Sequence, residues 1–142
     1  MFRQTMFAEF EMKAHKAAQE GQPLTGEFLN SIYRDLNKTY YPDVEMDDFI
    51  PYEWERIPHF YTSFYVYQYA TGFAAAVKFS ADIYAGKPGA REKYLNKFLS
   101  AGGSKFPIEI LQDAGVDMTS PETVRQALAF FREIIDELEK TL

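Results

Sequence analysis

The stretch Phe60-Tyr61-Thr62-Ser63-Phe64-Tyr65-Val66-Tyr67-Gln68-Tyr69-Ala70-Thr71-Gly72-Phe73-Ala74-Ala75-Ala76 decides the fold class, because it can be read in two ways. Tyr65, Tyr67 and Tyr69 alternate with Phe64, Val66 and Gln68 as a half-buried strand would. Against that, Ala70 and Ala74-Ala75-Ala76 continue the segment as good helix formers, and no other run offers a strand to pair with it. A lone strand leaves its ladder N–H and C=O groups unsatisfied, so the sequence predicts a helix over residues 60–85. Such a helix is apolar almost all round, with Tyr61, Tyr65 and Tyr69 on one face and Phe60, Phe64, Tyr67 and Ala74 toward another. Burial on every side is the expectation.

Working outward, helical periodicity continues on both flanks. Met6, Phe7, Phe10, Ala14, Ala17 and Ala18 recur at helical spacing within residues 1–20, and Gly21 with Pro23 supplies a stop. Thr25 is an N-cap candidate for a second helix over 25–39, whose stripe is Phe28, Leu29, Ile32, Tyr33 and Leu36. Between Tyr40 and Pro58 the pattern breaks: Pro42, Pro51 and Pro58 punctuate an acidic stretch to which no element is assigned. A structureless connection of about 20 residues is uncommon in a compact domain, so it is expected to mark a site or an absent partner. Toward the C-terminus, Tyr94, Leu95, Phe98 and Leu99 predict a short helix, and Pro107 opens another that Gly115 ends. Thr119 or Ser120 then caps a long amphipathic helix carrying Val124, Leu128, Phe131, Ile135 and Leu138. The expected fold is all-α, an irregular helical bundle forming a single domain over residues 1–142.

With 142 residues, 46% hydrophobic and 25% charged, the chain has ordinary globular composition and room for one core. Its net charge of −6 repels phosphate backbones and anionic lipid, so neither nucleic acid nor a membrane surface is an expected partner. Without cysteine there are no disulfides and no thiolate metal sites. No apolar run is long enough to span a bilayer, and a cytoplasmic, soluble protein is expected. Aromatic residues are abundant at 17%, including ten Tyr and thirteen Phe, and call for an explanation.

Candidate chemistry is sparse. There are two histidines, His15 and His59, and no HExxH. Glu11 and His15 stand at i, i+4 and supply half a metal site at best, so no metal is expected in this chain. No Gly-rich phosphate loop or nucleophile elbow is present. What remains is His59, directly after Pro58, followed by Tyr61, Tyr65, Tyr67 and Tyr69. These are neutral hydrogen-bond donors of the kind that can stabilise an oxyanion. The plainer alternative is a set of core tyrosines whose hydroxyls reach backbone carbonyls.

Three separated runs narrow the choice: Arg3-Gln4-Thr5-Met6-Phe7-Ala8-Glu9-Phe10-Glu11, Ile57-Pro58-His59-Phe60-Tyr61 and Phe64-Tyr65-Val66-Tyr67-Gln68-Tyr69-Ala70-Thr71-Gly72. In this order they resemble the C-terminal part of oligoendopeptidase F, of the thimet oligopeptidase-like M3 zinc metallopeptidases. The resemblance implies the C-terminal helical lobe portion of a clamshell peptidase that hydrolyses short peptides. It also implies that the zinc ligands and general base lie upstream of the matched portion, so zinc belongs to the full-length enzyme and this chain is inert alone. Among its residues, His59, Tyr65 and Tyr67 would stabilise the transition state, and His59, Tyr61, Tyr65, Tyr67 and Tyr69 would bind substrate. Thr62-Ser63 replace glycines found in the thimet branch, which leaves the division of roles among the tyrosines open. Implied partners are the missing N-terminal catalytic portion, or a second copy meeting it through the 60–85 segment or the first helix. The alternative is a free-standing helical interaction module without catalysis.

Overall fold

The computed structural model describes Met1–Leu142, and it is all-α, with no strand. Packing divides the chain into two compact units, Met1–Ala70 and Thr71–Leu142.

In the first unit, α1 (Phe2–Gln19) and α2 (Gly26–Tyr40) match the two expected helices within a residue or so. Their join follows from local chemistry. Gly21 takes φ +80°, a conformation costly for a residue with a Cβ, and lets Gly21 N–H and Gln22 N–H bond back to the carbonyls of Ala18 and Ala17. Thr25 then caps α2, its hydroxyl accepting from Phe28 N–H at 3.2 Å. Met6, Phe7 and Phe10 of α1 meet Tyr33 and Leu36 of α2 in the core, closed by Ile57 and Val66. Much of the aromatic content goes here: the Phe10 ring lies 5.3 Å from Tyr33, 5.9 Å from Trp54 and 5.1 Å from Phe60. Such pairs add to stability beyond the area they bury.

Two sequence expectations for this unit fail. The acidic stretch is not structureless, because Ile50–Arg56 forms a 3-10 helix opened by Pro51, with Asp47 accepting from the N–H groups of Phe49 and Ile50. It seats Trp54 against the core and ties the indole N–H to Asn30 at 2.7 Å. The 60–85 helix is also interrupted. Pro58–Tyr61 is a separate 3-10 helix, Phe64 takes φ +58°, and α3 begins only at Tyr67, running to Tyr84. A left-handed residue cannot sit inside an α-helix, so residues 62–66 form a turn and the strand-versus-helix question over residues 60–76 has a mixed answer.

The second unit holds most of α3, then α4 (Ala90–Lys93) continuing into a π-helical turn (Tyr94–Leu99), α5 (Pro107–Asp113) and α6 (Glu122–Glu139). Its core is Ala75, Phe79, Ala114 and Val116, packed by Tyr94, Phe98, Leu111 and Met118. Gly115 at φ +95° ends α5 as the sequence predicts, turning the chain so that Val116 is buried. Burial of α3 on every side is not found: Ala74, Ala75, Val77 and Phe79 are buried, while Tyr67, Tyr69, Phe73 and Tyr84 are exposed. The predicted stripe of α6 is likewise open, with Leu128, Phe131, Ile135 and Leu138 all exposed.

Candidate functional site

The site is built on a loop pinned at both ends. Ile57 enters the core just before Pro58, and Val66, with no exposed surface, enters it just before α3. Between them Phe60 packs edge-on to Phe7 at 5.6 Å, so the alternate side chains of this segment are forced outward. His59, Tyr65 and Tyr69 are the ones brought together.

The His59 and Tyr65 rings stack with 5.7 Å between centroids and 5° between planes. Tyr69, in the first turn of α3, meets both edge-on, at 5.3 Å from His59 and 5.6 Å from Tyr65. Its hydroxyl lies 3.1 Å from His59 Nε2 and donates to the Tyr65 hydroxyl at 3.5 Å. The Tyr65 hydrogen bond and the burial around it raise the Tyr69 hydroxyl pKa above its ordinary value. Donation from Tyr69 to Tyr65 leaves the Tyr69 oxygen to accept from an Nε2–H of His59, and it leaves the Tyr65 O–H directed at whatever binds beside it. One open neutral donor results, the Tyr65 O–H at the end of the His59–Tyr69–Tyr65 chain, suited to a carbonyl oxygen or an oxyanion.

The other two tyrosines stand apart from this trio. Tyr61 is 81% exposed and its hydroxyl donates to the Glu55 carbonyl at 3.2 Å. Tyr67 opens α3, and two positions from Tyr69 on a helix it points to a different side. Because Tyr61 and Tyr65 precede the helix, the expected common face of Tyr61, Tyr65 and Tyr69 does not exist; a turn, not a helical repeat, brings Tyr65 and Tyr69 to His59.

Two buried carboxylates are engaged in structural hydrogen bonds. Glu53, buried within the acidic stretch, takes hydrogen bonds from Tyr33 at 2.7 Å, Arg3 at 2.6 Å and Arg56 at 2.5 Å. Burial alone would raise its pKa, but these donors outweigh it and hold the carboxyl below the ordinary range. Glu11, also buried, accepts from the Phe64 N–H at 2.7 Å. Its i+4 neighbour His15, with which the sequence offers half a metal site at best, places Nδ1 2.9 Å from the Glu11 backbone carbonyl. A signal was available: Glu11 follows Phe7 by four residues, which puts an acid on the apolar face of α1. Nowhere do three His, Asp, Glu or Cys side chains converge as a metal would require, so this chain's residues do not fit a zinc centre.

Before any comparison is made, the class defined is an all-α protein carrying a half-buried histidine clustered with two exposed tyrosines. The model of peptidase family M3 matches residues 1–130, and the chain belongs to that family. It is 54% identical to oligopeptidase PepF of Bacillus subtilis, covering 100% of this chain and 21% of that protein. Group B oligopeptidase PepB of Streptococcus agalactiae is 52% identical, over 98% of this chain and 23% of its own length. The crystal structure of oligoendopeptidase-F from Enterococcus faecium superposes with a TM-score of 0.93 at 47% identity, covering 98% of this chain and 27% of that one. The chain therefore spans about a fifth to a quarter of the relatives it matches.

Proposed function

We propose that this chain supplies the peptide-contacting part of an oligoendopeptidase F-type metallopeptidase acting on short peptides. The observation that supports it most is the hydrogen-bonded His59–Tyr69–Tyr65 chain, which ends at an exposed Tyr65 and is held by a loop fixed in the core. In this reading Tyr65 donates to the carbonyl oxygen of the peptide under attack, Tyr69 donates to Tyr65 and orients it, and His59 turns its Nε2–H from Tyr69 to the same oxygen when the peptide binds. Tyr67 and Tyr61 contact the peptide further along. Zinc, where the whole enzyme is assembled, supplies the hydrolytic centre through residues outside this chain, and the chain alone is inactive.

The partner is the polypeptide that corresponds to the rest of the relatives' length. Apolar surface left open in the second unit supports this: the α6 stripe, and a groove of about 1040 Å³ lined by Ala76, Phe79, Ile83, Phe98 and Leu99. Contiguous apolar surface of this kind is rare on a protein that works alone.

The test joins this chain to the remaining length of the Bacillus subtilis relative and measures peptide hydrolysis. Donors that act on the transition state lower kcat when removed, by about 10²-fold for one oxyanion donor. Tyr65→Phe and His59→Ala are expected to do so, and Tyr61→Phe to stay within a few-fold of the parent. If Tyr65→Phe, Tyr67→Phe and Tyr69→Phe all turn over like the parent, the tyrosines have no catalytic role. The second reading, a free-standing interaction module, rests on the same open groove; it predicts that the joined protein gains no hydrolysis while this chain still captures a helical partner.

A further inference from the structure

We propose that Glu11 is a positioning residue for this site: its carboxylate holds the turn at Phe64 and so keeps Tyr65 against His59, an inference that rests on the peptide-binding reading above. A carboxylate 5% exposed must be hydrogen-bonded to be tolerated, and the bond it makes spans most of the first unit, from α1 to the Phe64 N–H at 2.7 Å. The residue it grips is under strain. Phe64 is the one non-glycine at positive φ in the chain, and a bulky side chain in that region persists only where its surroundings hold it. α1 grips it twice, since the His15 ring, one helical turn beyond Glu11, lies 4.4 Å from the Phe64 ring.

The consequence passes to the next residue. The Phe64 backbone angles aim the Cα–Cβ bond of Tyr65, whose ring stacks on His59, before Val66 returns the chain to the core. With the Glu11 acceptor gone, the turn relaxes toward negative φ and Tyr65 swings away from His59, although both residues keep their own chemistry. Glu11 touches no ligand in this scheme.

The chain's two histidines give two imidazole signals in proton NMR, one beside Tyr65 and one beside Phe64. Tyr65→Ala defines the His59 position without its stacking partner. Glu11→Ala is expected to move the His59 signals most of the way to that position, and Glu11→Gln, which keeps a carbonyl acceptor, to leave them near the parent. Loss of packing alone would not be rescued in this way. A measurement on the unaltered chain guards against misfolding of the variants: the Phe64 amide is expected to exchange with solvent at least ten-fold more slowly than the amide of Ser63. Exchange at the same rate as Ser63, or His59 signals unmoved in a folded Glu11→Ala, overturns the proposal. Neither readout depends on turnover, so a failure of Tyr65→Phe to lower kcat counts against the peptide-binding reading and not against Glu11.

Discussion

The Tyr33 hydroxyl, wholly buried, donates to Oε2 of Glu53 at 2.7 Å and thereby fastens the acidic stretch to α2. Burial, followed by the Glu53 carboxylate beside it, pushes the Tyr33 hydroxyl far above its ordinary pKa, so it stays a donor at every accessible pH. Hydrogen bonds to charged groups contribute about 1.5–3 kcal/mol. Tyr33→Phe is expected to destabilise the protein by about that much, because Glu53 keeps Arg3 and Arg56 but loses its buried neutral partner. Tyr61→Phe, which removes an exposed hydroxyl, is the control and should cost no more than about 0.5 kcal/mol. Urea denaturation of the two variants measures the difference.

Acid should act through the same carboxylate. Glu53 has a folded pKa below its ordinary value of 4.5, so as pH falls the unfolded chain takes up this proton first. Its contribution to stability is fully present above that ordinary value and is lost as pH drops through the lower, folded one. Melting temperature followed from pH 7 down to about pH 3 should therefore fall more steeply in the parent than in Glu53→Gln, whose amide does not titrate. Parallel curves for the two proteins would mean that Glu53 contributes nothing pH-dependent.

How far these features were legible in the sequence depends on whether their causes are local. Thr25, Gly21, Pro107 and Gly115 act within a few residues of themselves, and the helix ends they set are where the sequence puts them. Phe64 is different. Nothing in Thr62-Ser63-Phe64-Tyr65 marks a left-handed residue, because the groups that hold it, Glu11 and His15, are some fifty residues away in the chain. The same holds for the site: His59 and its tyrosines stand out as a composition, but the partition into a trio of His59, Tyr65 and Tyr69 depends on that turn. The 3-10 helix at Ile50–Arg56 was hidden by its prolines, which read as breaks although Pro51 starts the element.

Zinc is expected to find no stoichiometric site in the isolated chain. Of its two imidazoles, His15 points Nδ1 at a backbone carbonyl and His59 points Nε2 at Tyr69, and no third ligand stands near either. Dialysis against zinc followed by elemental analysis checks this, and tightly retained zinc at one ion per chain would show that the side chains rearrange to build a site.

The exposed face of α6 should govern association. Leu128 at 41%, Ile134 at 46% and Leu138 at 56% exposure lie along the apolar face of a helix that is buried only near its N-terminal end, at Thr123 and Ala127. In water such a stripe is costly to leave open, at about 25 cal/mol for each Å² of apolar surface, and covering it favours contact with another chain. Association also costs translational freedom and side-chain ordering, so only part of that gain survives. Leu128→Glu with Leu138→Glu is expected to change melting temperature little, since exposed positions away from special features stay within about 0.5 kcal/mol. Its effect should appear instead in sedimentation, where the parent is expected to associate as concentration rises and the double variant to remain monomeric. The same variant separates two ways of covering the stripe. If the parent is monomeric but binds the remaining length of the Bacillus subtilis relative and the variant does not, α6 faces that polypeptide; if the parent dimerises without it, a second copy suffices; and if neither occurs, the open stripe has no role in assembly.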